Sequence, residues 1–147
     1  MAEPITIHAS CVALGDADIL IEGAPGSGKS DLTLRLIDEP GFGCGNLALR
    51  GRLVSDDQTI IERRGQALFA ASPKPIAGLL EIRGQGVMKV DHLAEVKLVL
   101  AVKLLPVAQI ERMPEAAFRH IAGIALREIS IDPGQASAPA RIRAALT

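Results

Sequence analysis

Gly23-Ala24-Pro25-Gly26-Ser27-Gly28-Lys29-Ser30 satisfies the pattern G-x-x-x-x-G-K-[ST] at every fixed place. The apolar run Ile19-Leu20-Ile21 precedes it, and Leu32, Leu36 and Ile37 recur behind it at helical spacing until Pro40-Gly41 closes the segment. Strand, glycine loop and helix therefore follow in the order a phosphate-binding loop needs. Glycines admit positive φ, so successive N–H groups converge on one anion at the head of a helix. In such a loop Lys29 reaches the β- and γ-phosphates of ATP and the Ser30 hydroxyl ligates Mg²⁺, with Gly23, Ala24, Pro25, Gly26, Ser27 and Gly28 completing the cradle. A glycine turn that held Lys-Ser by chance would lack the flanking strand and helix.

Outward from the loop, the chain alternates short strands with turns. Ile5-Thr6-Ile7 and Ile19-Leu20-Ile21 read as strands separated by a turn near Gly15-Asp16, and Lys29 to Asp38 as a helix. Residues 42–46 are glycine-rich and expected to be mobile, while Leu53-Val54 forms a strand that runs directly into Asp56-Asp57. Ile60-Ile61 and Ala67-Leu68-Phe69 flank a turn near Gly65 as a hairpin, and Ser72-Pro73-Lys74-Pro75 interrupts the pattern. Strands follow at 79–82 and 96–104, the latter apolar enough for a central position covered on both faces. A short helix is expected over 107–112, a strand over 124–131, and a last helix over 138–146 with Ser137 as N-cap and Pro139 in its first turn. The fold class predicted is α/β, mixed sheets with flanking helices, with residues 1–147 as one domain.

Composition narrows the function. Of the 147 residues 48% are hydrophobic, enough for a sizeable core, and the three aromatic residues are all phenylalanine, so that core rests on Leu, Ile, Val and Ala. Sixteen basic and seventeen acidic residues are scattered along the chain, so no basic face points to nucleic acid. No apolar run reaches the roughly 20 residues that span a bilayer, and Met1-Ala2-Glu3-Pro4 lacks a leader pattern, so the expected location is cytoplasmic. Cys11 and Cys44 lie far apart without C-x-x-C spacing, which fits reduced thiols in the core rather than a disulfide or zinc site.

A phosphate loop leaves the reaction open, and the acids after Val54 narrow it. Side chains of adjacent strand residues point to opposite faces, so Asp56 and Asp57 meet one substrate only where the strand has ended, and two roles are expected of them. One acts as general base on the incoming hydroxyl, a role assigned to Asp56, and the other, Asp57, acts on Mg²⁺ directly or through Ser30. Leu80-Glu81-Ile82-Arg83-Gly84-Gln85-Gly86 places Glu81 and Arg83 on one face before a glycine turn, a geometry that can hold a carboxylate near a metal and a guanidinium near phosphate, and that a cross-strand ion pair beside a flexible turn would share.

Taken together, Lys29-Ser30-Asp31, Leu53-Val54-Ser55-Asp56-Asp57 and Leu80-Glu81-Ile82-Arg83-Gly84-Gln85-Gly86 resemble, in order and spacing, the HPr kinase/phosphorylase family. The L-E-[IV]-R-G-x-G stretch is close to that family's signature and more specific than the loop. His8 sits where the family carries a histidine upstream of the loop. The resemblance covers essentially the whole chain, and Asp132-Pro133-Gly134-Gln135-Ala136-Ser137-Ala138-Pro139 resembles the end of short alphaproteobacterial members. It implies a serine kinase for the phosphocarrier protein HPr in a phosphotransferase system, a fold like phosphoenolpyruvate carboxykinase, and a homo-oligomer, often a hexamer. It further implies ATP contacts from Gly23, Gly26, Gly28, Lys29 and Ser30 and catalysis by Asp56 and Asp57 with Lys29 and His8. Mg²⁺ contacts fall to Ser30 and Glu81, and contacts to HPr or phosphate to Arg83.

Departures from the family pattern leave the fixed places of the phosphate loop intact. Asp31 stands where a glutamate is usual, Ala24 and Pro25 replace small hydroxyl residues, a P-G-R-N stretch is missing, and nothing here matches the N-terminal domain of long members. They weigh against the reverse reaction, in which phosphate attacks phosphoserine. Two rival readings are another small P-loop kinase and a nucleotide-binding regulatory module. The first expects arginine-rich lids, for which Arg50-Gly51-Arg52 and Arg63-Arg64 are the only comparable clusters. A GTPase version of the second expects [NT]-K-x-D, and Met88-Lys89-Val90-Asp91 lacks its first residue.

Overall fold

The computed structural model describes residues 3–147, so the first two residues of the Met1–Pro4 start lie outside the described part. β1 (Ile5–Ile7) and β2 (Ala9–Leu14) lead into a turn at Gly15-Asp16, from which β3 (Ala17–Glu22) returns antiparallel to β2. The glycine loop joins β3 to α1 (Lys29–Asp38), the segment that the spacing of Leu32 and Leu36 predicts. β4 (Gly51–Ser55) is followed by the expected hairpin of β5 (Thr59–Arg64) and β6 (Ala67–Ala71). β7 (Leu79–Ile82) pairs with β8 (Gly86–Lys89), and long β9 (Glu95–Leu104) precedes the hairpin of β10 (Ala117–Ile121) and β11 (Ile124–Ile131). α2 (Ala138–Ala145) ends the chain.

Nine strands form one mixed sheet in the order β1-β5-β6-β9-β3-β2-β4, with β11 and β10 attached through β9, while β7 and β8 stand apart as a two-stranded sheet. β9 is the hub. Its start pairs antiparallel with β6, and its later residues pair parallel with β3 and with β11. Asp18 faces Leu98 but Ile19 faces Leu100, so Val99 is an inserted residue. Because strand side chains alternate with period two, that single insertion reverses which residues face which layer. Val96 and Leu98 join Cys11, Leu20 and Val54 in one apolar cluster, whereas Leu100, Val102 and Leu104 join Leu32, Leu36 and Ile142 of the helices in the other. Glu95, Lys97, Val99 and Lys103 remain exposed, so β9 is central but not covered on both faces along its length as expected.

Several local expectations give way to longer-range contacts. β2, β8 and β10 were not distinguished in the sequence, because short runs without clean alternation carry no periodic signal. Residues 107–112 form only a 3₁₀ turn over Val107–Gln109, after Pro106, instead of a helix. Ser137 precedes α2 without capping it: its Oγ accepts from Arg141 Nε at 2.8 Å. Cys11 is buried, and burial pushes its thiol well above the ordinary range, but Cys44 is exposed rather than core. The glycine-rich segment 42–46 packs on α2 so closely that a Cβ on Gly43 would lie 2.5 Å from the Ala144 nitrogen.

Arg143 closes this end of the molecule. Its buried guanidinium donates to the carbonyl oxygens of Leu49 at 3.0 Å, Leu36 at 3.1 Å and Glu39, which takes up carbonyls that the last turn of α1 leaves free. α1 is thereby held from behind, with its N-terminus aimed at the glycine loop.

Candidate active site

The loop adopts the conformation its glycines permit. Gly26 and Gly28 have φ of 78° and 104°, a region side chains rarely enter, and Gly28 is the residue from which α1 begins. The N–H groups of the first turn that follows have no intrahelical partner and carry the positive end of the helix dipole. Lys29 turns back so that Nζ donates to Gly23 O at 2.9 Å and Ala24 O at 3.3 Å, and only 5% of the residue is exposed. Ser27 Oγ is buried without a hydrogen-bond partner among the described residues, and a Cβ on Gly23 would press on it and on Leu104.

The second half of the site comes from the end of β4. Cys11 faces Ser55 while Val12 faces Leu53, so Val54 is bulged out just before the acids. The chain then turns, with Gln58 N donating to Asp56 O at 2.8 Å and Asp57 in the left-handed region at φ 67°. This turn frees the two carboxylates from strand alternation and gives them different surroundings. Asp56 is 7% exposed, and its carboxylate accepts from Ser30 Oγ at 2.9 Å, Ser10 Oγ at 3.3 Å and the Glu81 N–H at 3.0 Å. Asp57 has a side chain 55% exposed; its Oδ1 accepts from His8 Nε2 at 2.7 Å and lies 3.8 Å from Lys29 Nζ.

A cavity of about 540 Å³ opens over the loop between α1 and the β7–β8 hairpin. Gly26, Gly28, Lys29 and Ser30 line it, together with His8 and Asp57 from one direction and Glu81 and Arg83 from another. Asp56 does not line it. Three donors occupy the oxygens of Asp56, whereas Asp57 lines the cavity. Gly23 and Ala24 hold Lys29 and border a second cavity of about 670 Å³, where Arg119 grips Glu22 through two hydrogen bonds of 2.8 and 3.2 Å. Ser10 went unnoticed in the sequence. It lies two residues after His8, where the chain bends between β1 and β2, so strand alternation offers no signal for it.

No group of three His, Cys, Asp or Glu side chains among the described residues is arranged to hold a metal ion. Mg²⁺ commonly takes one or two protein oxygens and completes its shell with phosphates and water. Ser30 and Glu81 line the cavity, and Asp56 stands behind Ser30, bonded to its hydroxyl.

A curled mixed sheet, a glycine loop that opens a helix and an acid pair at the next strand end define an α/β domain built around an anion cradle. Residues 1–136 match the family described as the HPr Serine kinase C-terminal domain, and the chain belongs to that family. It is 35% identical over 104 residues to an HPr kinase/phosphorylase of Clostridium botulinum (strain Eklund 17B / Type B), which covers 70% of this chain and 31% of that one. With the HPr kinase/phosphorylase of Clostridium tetani it is 34% identical over 108 residues, 73% of this chain and 32% of the relative. The chain thus spans about a third of the length of these curated relatives. The structure of the Hpr(Ser) kinase/phosphatase from Coxiella burnetii superposes with a TM-score of 0.79 at 23% identity, covering 97% of this chain and 93% of that one, which is a likeness of fold.

Proposed function

We propose that the chain is an ATP-dependent protein serine kinase that phosphorylates the phosphocarrier protein HPr and so regulates a phosphotransferase system in the cytoplasm. The observation that carries this reading is the Asp57 carboxylate, open to the cavity and 3.8 Å from Lys29 Nζ at the mouth of the glycine loop. A serine hydroxyl entering there meets a base on one side and the loop's anion cradle on the other.

The residues fit a nucleotide triphosphate with Mg²⁺. The first turn of α1 offers unpaired N–H groups, Gly26 leaves open space where a Cβ would stand, and Lys29 rests on loop carbonyls it can share with phosphate oxygens. Bound there, the nucleotide and its metal would supply the transferable phosphoryl group and neutralise charge. Ser30, backed by Asp56, and Glu81 would hold the metal. His8 orients Asp57 by donating to Oδ1 and leaves Oδ2 to receive a proton. As the acceptor serine oxygen bonds to the terminal phosphorus, its proton passes to Asp57 and the nucleoside diphosphate departs. A positioned base contributes about 10² to 10⁴ in rate, and positioning and charge stabilisation supply the rest.

Arg83, exposed on the β7–β8 hairpin, faces the same cavity and serves the acceptor or its phosphate. The reverse phosphorylase reaction is not part of this proposal. A homo-oligomer is, and sedimentation velocity tests it. The principal test incubates the purified chain with Mg-ATP and HPr from the same organism and looks for phosphoserine by mass spectrometry. Absence of transfer under varied metal and nucleotide overturns the assignment. Retained signalling by a chain carrying Asn at both aspartates would favour the regulatory module.

A further inference from the structure

Ser10 is fully buried in β2, and its single hydroxyl is committed twice. It donates to Asp56 Oδ1 at 3.3 Å and accepts from the Asp57 N–H at 3.0 Å. These contacts cross from one strand to the turn after another and join the two acids that the site uses differently. Asp57 has a backbone in the left-handed region, which an L residue other than glycine holds only where its surroundings fix it. Ser10 supplies that hold on the inner side, and Ser55 Oγ bonds to Gln58 O on the other side of the same turn. His8, two residues earlier, binds the Asp57 side chain. The segment from His8 to Ser10 thus grips Asp57 at its backbone and at its carboxylate.

We propose that Ser10 is a positioning residue that sets the direction of the Asp57 carboxylate toward Lys29 and keeps Asp56 turned toward Ser30. This rests on the reading of Asp57 as the base. Without the hydroxyl, the Asp57 N–H loses its acceptor and Asp56 Oδ1 keeps only Ser30. The turn relaxes and the base drifts from the acceptor oxygen. A misplacement of about 1 Å costs on the order of 10²-fold in rate, although no substrate atom touches Ser10.

The test compares S10T with S10V in the full chain. The two substitutions add the same methyl group and differ only by the hydroxyl, so any cost of fitting the methyl is common to both. S10T is expected to keep kcat for HPr phosphorylation within about threefold, and S10V to lose roughly 10- to 100-fold, on the scale such misplacement carries. KM for ATP should be alike in the two variants, and Tm lower in S10V, where the Asp57 N–H has lost its acceptor; the rates are compared at a temperature at which both are folded. Equal kcat in S10T and S10V overturns the proposal. Should either fail to fold, S10A against the native chain gives the same comparison. Crystal structures of the variants provide a readout independent of activity: in S10V and S10A the Asp57 carboxylate should leave Lys29 and His8, and its staying in place refutes the role of Ser10. If the native chain transfers nothing to HPr, the kinase reading fails, while the position of Asp57 still decides this one.

Discussion

The Ser30 hydroxyl donates to the Asp56 carboxylate at 2.9 Å, so the first turn of α1 is tied to the end of β4 before any nucleotide arrives. Two further donors on the same carboxylate hold Asp56 in place beside Ser30. Among the described residues no donor reaches Oδ2 of the neighbouring Asp57. The division of labour between the acids follows from who donates to each.

Asp57→Asn should lower kcat for phosphoryl transfer by about 10² to 10⁴ while ATP affinity stays within a few-fold, because an amide cannot take the hydroxyl proton. Asp56→Asn should act instead on the metal side, raising the Mg²⁺ concentration needed for half-maximal rate. Steady-state kinetics over a Mg²⁺ series, with calorimetry for ATP binding, separates the two patterns. The reverse result would return the base to Asp56.

Lys29→Met removes an ammonium that lies almost wholly inside the loop, between two carbonyl oxygens and a carboxylate. ATP should bind more than about tenfold less tightly, as expected for loss of charge-assisted bonds to phosphate. Circular dichroism should be unchanged, since α1 starts from Gly28 and not from the lysine side chain.

Arg143→Leu should destabilise the fold by about 3 kcal/mol, from losing hydrogen bonds given by a charged donor to three carbonyls, of which that of Leu36 is buried. Denaturant titration measures it. Arg143→Lys recovers part of the loss, since an ammonium cannot span the carbonyls of Leu36, Glu39 and Leu49 as a planar guanidinium does.

Asp18 gives a pH dependence remote from the loop. Burial, helped by the nearby charge of Asp16 and opposed by the Lys97 N–H, pushes its carboxyl from an ordinary 3.8 up to about 6. The folded state then holds the proton more tightly than the unfolded state, so this group's stabilising contribution is full below pH 3.8 and is lost as pH rises to about 6. Asp18→Asn, which removes the charge, should raise Tm at pH 7 and leave it almost unchanged at pH 3.5. Thermal scans at both values decide.

What the residues alone determined is local. Eight consecutive residues specified the glycine loop, and Leu32 and Leu36 specified α1 down to its ends at Lys29 and Asp38. Glycine dihedral freedom and the period of a helix both act within a few positions, so a short window contains all the information they need. The acid pair was legible for a similar reason, as a polar break after an apolar strand.

Only the tertiary structure decided which acid faces the cavity. The donors that clamp Asp56 come from β2, α1 and β7, and the partners of Asp57 come from His8 and Lys29, so their arrangement is written in no window of sequence. The same holds for the inserted Val99, which turns β9 from one apolar layer to the other only because β3 pairs beside it, and for Arg143, whose acceptors lie about a hundred positions earlier, at the end of α1 and at Leu49. A hydrogen bond is governed by distance in space, and chain separation is invisible to it.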